Sequence, residues 1–235
     1  MNGRSLIMLL WTIVWTGIGV TMLLVDPTGH AFMYFARVGW APQVLWVGGV
    51  RVVRKGGEGL DWRRPYIVAS NHQSQVDIPI VFGGLPMPIR FLAKRSLFFI
   101  PVFGWSMWMA RFVAVDRGSS RKSRKSIDVA AGKVRRGPSL VVFPEGTRSP
   151  DGTLKAFKSG AFVMAVKSGV PVLPIAIRGS WDVLPKHRLS VRPGRVELII
   201  GTPIATDALD LSDREKLKTA VRDRIQRMLD TGEPI

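Results

Sequence analysis

The sequence of 235 residues is long enough for one large domain or for one domain with an appendage. Its 34 Lys and Arg against 17 Asp and Glu give a net charge of +17, which indicates an anionic partner such as nucleic acid, an anionic bilayer or a phosphorylated substrate. The absence of cysteine excludes disulfides, a thiol nucleophile and thiolate metal sites.

The first 50 residues are predicted to form membrane-anchoring helices. Residues 5–25 carry no charged side chain, and as a helix they would be about 31 Å long, which matches the hydrocarbon thickness of a bilayer. A cleaved signal peptide fits less well, because the apolar run is long and no small-residue cleavage site follows it. A second apolar stretch, 31–50, is interrupted by Arg37 and Pro42, which favours a helix lying in one leaflet. Whether the first helix spans the bilayer once or dips into one leaflet and returns is left open.

Residues 51–235 are predicted to form one α/β domain. Helices are predicted over 120–136 and over 156–168, where Gly169 ends the second, and a capping box of Ser212 with Glu215 predicts a C-terminal helix. This alternation predicts a central, mostly β sheet covered by helices. The apolar runs rich in Val and Ile that predict buried strands are 66–70, 91–93, 112–115, 140–143, 170–177 and 196–200.

A polar segment, NHQSQVD at 71–77, directly follows the predicted strand 66–70, and ligand sites in α/β sheets collect at such strand ends. His72 and Asp77 cannot share a face of one regular helix, but they can meet if His72 lies in a turn and Asp77 in the first turn of the next helix. Pro79 suits that helix start. An imidazole held by a carboxylate has the fixed tautomer and raised basicity that a general base needs. The alternative is structural: a lone His beside a strand and an Asp that caps a helix.

A second polar segment, FPEGTR at 143–148, follows the predicted strand 140–143. Gly146 allows the backbone to come close to a ligand, and Arg148 offers a planar set of donors that suits phosphate. The alternative is an ordinary turn with a surface Arg. The stretch 90–136 is rich in Lys and Arg and predicts a basic face, although a solvated helix surface would also explain its helical part.

Together these two segments resemble the glycerophospholipid acyltransferase family, in particular the 1-acylglycerol-3-phosphate acyltransferases. FVAVDR at 112–117 is similar to the family's second block, which ends in a substrate-contacting Arg, and VPVLP at 170–174 is similar to its fourth. Four blocks in this order are specific, whereas any one alone is not. One departure concerns the second block, which often has a Gly a few residues before the Arg. Here Ala110 and Arg111 precede Phe112 instead.

The resemblance implies transfer of a fatty acyl group from acyl-CoA or acyl carrier protein to the free sn-2 hydroxyl of 1-acylglycerol-3-phosphate, giving phosphatidic acid. His72 would be the general base and Asp77 its orienting partner. A chain without Cys or a Gly-x-Ser-x-Gly elbow has no obvious nucleophile for an acyl-enzyme, so the acceptor hydroxyl would attack directly. The residues expected to bind the substrate are Lys94, Arg117, Glu145, Gly146, Thr147 and Arg148, with Glu145 as an orienting hydrogen-bond acceptor.

No cofactor and no metal are expected, because three histidines without cysteine supply no evident ligand cluster, which argues against a metal-dependent hydrolase. The expected partners are a membrane lipid, an anionic inner leaflet and the thioester donor, with the basic domain on the cytoplasmic face of the inner membrane. Nucleic acid is not expected, since no nucleic-acid fold signature is present. Two alternatives stay open: a sibling acyltransferase for lyso-ornithine lipid, another lysophospholipid or glycerol 3-phosphate, and a non-enzymatic basic membrane-binding module.

Overall fold

Alternating strands and helices make up most of the computed structural model, which describes residues 1–22, 26–101, 103–115, 120–135 and 137–235. Within these residues the strands are β1 (Val50–Gly56), β2 (Ile67–Ser70), β3 (Ile89–Lys94), β4 (Val113–Val115), β5 (Ser139–Val142), β6 (Val172–Arg178) and β7 (Gly194–Ile200). The helices are α1 (Gly3–Met22), α2 (His30–Phe35), α3 (Ala41–Gly48), α4 (Asp77–Gly84), α5 (Phe103–Met109), α6 (Ser120–Arg135), α7 (Gly160–Ser168), α8 (Ser180–Val183) and α9 (Arg214–Thr231). A π-helical segment, Ala36–Trp40, joins α2 to α3, and 3₁₀ segments at Arg95–Phe99 and Leu211–Asp213 precede α5 and α9.

One mixed sheet holds these strands in the order β1-β7-β6-β2-β5-β3-β4. Neighbouring strands are parallel except for the antiparallel pair β6 and β7. β2 is central, with Ile67 opposite Leu140 of β5 on one side and Val172 of β6 on the other. Because β2, β5 and β3 run in the same direction, the loops that follow them meet at one edge of the sheet.

Apolar side chains on the two faces of the sheet form two cores. The alternation of side chains along a strand divides β2 between them, with Val68 in the first core and Ile67 and Ala69 in the second. Residues of α2, α3 and α4 cover the first core, and residues of α6, α7 and α9 cover the second. The predicted α/β fold, a sheet covered by helices, is confirmed.

All six predicted strands are present, but β1 was not predicted. This strand pairs with β7 at the edge of the sheet, and only Val50 among its residues is buried. Arg51, Arg54 and Lys55 interrupt its apolar pattern, since an edge strand does not need a continuous apolar run. The sequence signal for a buried strand is therefore weak there.

The helices before residue 50 pack against the sheet. α1 covers most of the predicted segment 5–25, and residues 23–25 lie outside the described residues. Over the ranges that the structure describes, no helix is long and apolar enough to cross a membrane. Ala41 and Leu45 of α3 belong to the first core together with residues of the sheet. A division of the chain into 1–50 and 51–235 stays a prediction.

The predicted start of the helix over 156–168 is wrong, because α7 begins at Gly160. The preceding residues are irregular and lie along the loop that follows β5. There the Lys158 N–H donates to the Pro144 carbonyl at 2.9 Å. A contact with a distant loop therefore replaces the first helical turn, whereas the end of the helix at Gly169 is as predicted, with φ at 65°.

The predicted capping box of Ser212 with Glu215 is also wrong. Asp210 and Asp213 form the box instead, two residues earlier, and it caps the 3₁₀ segment that leads into α9. Glu215 accepts a hydrogen bond from Ser159 Oγ at 2.7 Å, so its carboxylate serves a contact between α9 and the start of α7. Both pairs fit the capping pattern, and tertiary contacts decide which one forms.

Arg111 is the one non-glycine residue with positive φ, 51°, in the described ranges. It follows α5, where its N–H donates to the Trp108 carbonyl at 2.9 Å and the Phe112 N–H donates to the Met107 carbonyl at 3.0 Å. Glycine usually holds this left-handed position after a helix. A residue with a Cβ pays roughly 1–2 kcal/mol for it.

Candidate active site

His72 and Asp77 meet where β2 ends and α4 begins. His72 Nδ1 and Asp77 Oδ2 are 2.8 Å apart, and the Asp77 side chain is fully buried. The same Oδ2 accepts the backbone N–H groups of Gln73 and Ser74, each at 2.8 Å. The predicted placement, with His72 in the turn and Asp77 in the first turn of the helix, is the one found.

Only one oxygen of the Asp77 carboxylate accepts hydrogen bonds from described residues. Oδ1 is buried and has no hydrogen-bond partner in the described part of the chain. Asp77 also lies at the amino-terminal end of α4, where the helix dipole favours a negative charge. The buried carboxylate next to Nδ1 is placed to balance the positive charge that the ring would carry if Nε2 accepted a proton.

The second nitrogen of His72 is free for chemistry. Because a carboxylate oxygen accepts at Nδ1, that nitrogen carries the proton and Nε2 holds the lone pair. Nε2 makes no hydrogen bond within the described residues, and the His72 side chain is 17% exposed. The Phe143 ring stacks on the imidazole with centroids 4.0 Å apart and planes 17° apart, which fixes the plane of the ring.

Four long-range hydrogen bonds hold the backbone around His72. The His72 N–H donates to Glu145 Oε1 at 2.7 Å, and the His72 carbonyl accepts the Ser149 N–H at 2.7 Å. Asn71 is buried and pairs with the backbone of Ile177 through both side-chain groups, donating to the carbonyl at 2.8 Å and accepting the N–H at 2.7 Å. The loop is therefore tied to β6 and to the loop that follows β5.

The Glu145 carboxylate is buried and accepts hydrogen bonds from two backbone N–H groups. Its Oε2 accepts the Lys155 N–H at 3.1 Å, its Oε1 accepts the His72 N–H, and the residue is 3% exposed. Burial raises the pKa of Glu145 to about 7, although the two backbone hydrogen bonds and the nearby charge of Lys155 act in the opposite direction. These contacts match the predicted orienting acceptor, and its part in substrate binding stays a prediction.

The rest of the segment 143–148 presents a cationic surface beside His72. Gly146 has φ at 77°, and a Cβ there would lie 3.0 Å from Lys158 Cε. Thr147 is exposed, and Arg148 is partly exposed with no hydrogen bond or ion pair to any described residue. Lys158 is exposed and was not predicted as a site residue. Its place beside Gly146 depends on the contact of residues 155–158 with the loop, for which the sequence has no signal.

One further predicted substrate contact lies on a neighbouring strand, and another lies outside the described residues. Lys94 is exposed and is the last residue of β3, which pairs with β5, so it lies at the same edge of the sheet as the 143–148 segment. Val115 of β4 pairs with Lys94. Arg117, two residues further along, lies outside the described residues. No group of three or more His, Asp or Glu side chains in the described ranges could hold a metal ion.

The sequence of the chain also matches a known protein family. The family model described as Acyltransferase matches residues 49–178, more than half of the chain, and includes both 71–77 and 143–148. The chain belongs to the acyltransferase family. The resemblance drawn from the four sequence blocks is therefore confirmed.

Relatives of this acyltransferase include 1-acyl-sn-glycerol-3-phosphate acyltransferase BAT2, chloroplastic, of Brassica napus, which is 39% identical over 63% of this chain and 43% of the relative. The 1-acyl-sn-glycerol-3-phosphate acyltransferase alpha of Mus musculus is 33% identical over 74% of this chain and 62% of the relative. The crystal structure of the 1-acyl-sn-glycerophosphate (LPA) acyltransferase PlsC from Thermotoga maritima matches with a TM-score of 0.68 and 30% identity, over 97% of this chain and 96% of that one. The chain spans about half the length of three of its curated plant and algal relatives.

Proposed function

We propose that this acyltransferase transfers a fatty acyl group from acyl-CoA or acyl carrier protein to the free sn-2 hydroxyl of 1-acylglycerol-3-phosphate, and so forms phosphatidic acid. The observation that carries the proposal is the His72–Asp77 pair, in which a buried carboxylate holds Nδ1 and leaves Nε2 to act as a base. The names of the relatives support the acceptor, since they specify 1-acyl-sn-glycerol-3-phosphate or 1-acyl-sn-glycerophosphate.

The proposed reaction proceeds by direct attack. His72 Nε2 takes the proton of the sn-2 hydroxyl while the hydroxyl oxygen bonds to the thioester carbonyl carbon. The tetrahedral intermediate then collapses, the carbon–sulfur bond breaks, and the imidazolium returns the proton to the departing thiolate. Asp77 stabilises the imidazolium between these two steps. The chain supplies no thiol for a covalent intermediate, which supports the direct route.

The phosphate of the acceptor is proposed to bind at the cationic edge beside His72. Arg148 and Lys158 flank Gly146, and Lys94 stands at the end of the next strand. Arg117 is expected to join them. Each hydrogen bond between such a group and a phosphate oxygen is worth about 1.5–3 kcal/mol. Glu145 contributes by holding the His72 backbone, because both of its oxygens are already used.

Product analysis by mass spectrometry tests the proposed activity. The purified full chain is offered 1-acylglycerol-3-phosphate, a lyso-ornithine lipid, glycerol 3-phosphate and lysophosphatidylcholine, each with acyl-CoA and with acyl carrier protein. Phosphatidic acid should dominate, and His72→Ala should lower its formation by about 10²–10⁴-fold with the fold intact. Turnover of a different acceptor alone would overturn the proposed substrate. A His72→Ala rate within a few-fold of the parent would overturn the mechanism.

Attachment to the cytoplasmic face of the inner membrane is proposed to occur through the helices before residue 50, lying in one leaflet. Leu6, Leu10 and Ile13 lie along one side of α1 and are 44%, 52% and 46% exposed. Trp11 Nε1 donates to Gln43 Oε1 at 2.7 Å and so links α1 to α3. An apolar outer surface of this kind suits hydrocarbon. The thioester donors are cytosolic, which sets the side of the membrane.

A triple substitution, Leu6→Gln, Leu10→Gln and Ile13→Gln, tests the attachment. Full burial of one such side chain is worth about 1.5–3 kcal/mol, and a half-exposed one about half as much. Three together should weaken binding to vesicles by roughly 10²-fold, because about 1.4 kcal/mol is a factor of ten. Co-sedimentation in high salt measures the apolar part alone. Unchanged binding by the folded triple variant would exclude α1 as the attachment surface.

A further inference from the structure

A cavity of about 560 Å³ lies near the sheet edge opposite to His72. The first residues of β3, β4 and β5, the end of α6 and the turn between α1 and α2 line it. On β5 the cavity reaches Leu140, whereas Glu145 lies beyond the other end of the same strand. At about 3.3 Å per residue, these two positions are roughly 15 Å apart. The cavity is therefore separate from the proposed site of acyl transfer.

Cationic side chains line this cavity. Arg90, Arg111 and Lys133 belong to its wall together with His30, and none of the described lining residues is acidic. The carboxylate of the neighbouring turn, Asp26, does not line the cavity and instead accepts the Ala31 N–H at 2.7 Å and the Thr28 hydroxyl. An anion is therefore the ligand that suits the cavity.

Arg90 is the most unusual member of this wall. The predicted basic face over 90–136 is wrong for this residue, because Arg90 is only 5% exposed. Its guanidinium makes a single hydrogen bond, from Nη1 to the Ile89 carbonyl at 3.0 Å, and pairs with no carboxylate among the described residues. Burial, together with the nearby charge of Arg111, lowers the pKa of Arg90 to about 10. A buried guanidinium without a carboxylate is costly unless an anion neutralises it.

Arg111 is the second guanidinium, and its backbone carries strain that glycine would avoid. Its Nη2 donates to the Pro27 carbonyl at 2.5 Å, which connects the cavity wall to the turn between α1 and α2. The backbone conformation at this position would favour glycine over arginine. The arginine side chain, in turn, places a positive charge in the cavity wall and makes a hydrogen bond to the turn.

We propose that this cavity binds the phosphate group of an anionic phospholipid from the surrounding bilayer, as a lipid site separate from the acceptor site. Paired guanidinium groups suit phosphate oxygens. The remaining wall includes Trp108, Met109 and Phe112, which suit the glycerol and the first methylenes of a lipid. Trp108 is 71% exposed, and exposed apolar side chains of α1, such as Val14 and Ile18, precede the turn in the chain. A bound phosphate would neutralise Arg90 and Arg111 and hold the turn against the domain.

Native mass spectrometry of the full-length protein in detergent tests this site. The probes are dihexanoylphosphatidylglycerol, dihexanoylphosphatidylcholine and inorganic phosphate, because phosphate chemistry is common to all three and only the first is an anionic lipid. Arg111→Gly should weaken the phosphatidylglycerol adduct at least tenfold, since it removes the guanidinium from a backbone that glycine fits. Lys133→Gln, at an exposed position, should weaken it several-fold. Arg227→Ala removes an exposed charge on α9, a helix that contributes no described residue to the cavity wall, and should change nothing.

Several results would overturn the proposal. Unchanged phosphatidylglycerol binding by Arg111→Gly would overturn it. Loss of the adduct in Arg148→Ala, with binding kept in Arg111→Gly, would place the bound phosphatidylglycerol at the proposed acceptor site. Equal binding of inorganic phosphate would make this a site for soluble phosphate, and equal binding of phosphatidylcholine would make the charge irrelevant. If Arg111→Gly does not fold, Lys133→Gln decides by the same criteria. The assay contains no acyl donor, so its failure leaves the proposed acyl transfer untouched.

Discussion

Replacement of Asp77 by Asn removes the charge of the buried carboxylate and keeps its size. Asp77 Oδ2 accepts three hydrogen bonds, from His72 Nδ1 and from two backbone N–H groups. The amide oxygen of Asn should take this place, because the opposite orientation would turn an NH₂ group toward two backbone donors. The NH₂ group would then occupy the position of Oδ1, which has no partner in the described chain. His72 should therefore keep its orientation and its tautomer and lose only the charge of its neighbour.

That lost charge sets the expected effect on rate. Two unit charges about 4 Å apart interact by about 4 kcal/mol at an effective dielectric constant of about 20. Loss of about 3–4 kcal/mol from the transition state, in which His72 is protonated, lowers kcat by roughly 10²–10³-fold. KM for the acceptor should change little, since Asp77 is fully buried.

Steady-state kinetics with 1-acylglycerol-3-phosphate measures this, with thermal unfolding as the check on folding. Asp182→Asn makes the same change at an exposed position in α8 and should leave kcat as it is. A folded Asp77→Asn enzyme within tenfold of the parent would refute the charge argument. A loss well beyond about 10³-fold would mean that the tautomer had been lost together with the charge.

Arg148→Ala should raise KM for the phosphorylated acceptor by roughly 10- to 100-fold, since one charge-assisted contact is worth about 1.5–3 kcal/mol, while KM for the thioester changes less. Lys158→Ala should act in the same direction, and donor-only effects in both would move the phosphate site elsewhere. Glu145→Gln should alter the pH dependence of stability. In the parent, the pKa of Glu145 is about 7, above the usual 4.5, so the free energy of unfolding falls by up to about 3 kcal/mol as the pH rises from 4.5 to 7. Denaturant unfolding of the Gln variant at several pH values should show no such fall. If the free energy of unfolding changed with pH equally in parent and variant, the raised pKa of Glu145 would be contradicted. Gly146→Ala should lower the free energy of unfolding by about 1–2 kcal/mol through its positive φ, and an unchanged midpoint would argue against that backbone.

Local sequence signals determined the centre of the proposed site. His72 and Asp77 are close along the chain, and the end of a strand followed by Pro79 near a helix start is enough to bring them together. The strands buried on both faces were likewise readable, because each is a continuous apolar run. The edge strand β1 was not readable from the sequence, because its charged residues interrupt the apolar pattern.

Only the tertiary structure decided which distant residues complete the site. The order of the strands places the loop after β5 beside the loop after β2, and this brings Glu145 to the His72 N–H across 73 positions of sequence. The contact of Lys158 with Gly146 and the approach of Arg111 to Arg90 arise in the same way. A sequence specifies local conformation through propensities and periodicity, but contacts between loops depend on strand order and packing, which no single segment encodes. The proposed catalytic pair was therefore predictable, and Glu145 was predicted as a hydrogen-bond acceptor, whereas its bond to the His72 N–H and the cationic cavity were not.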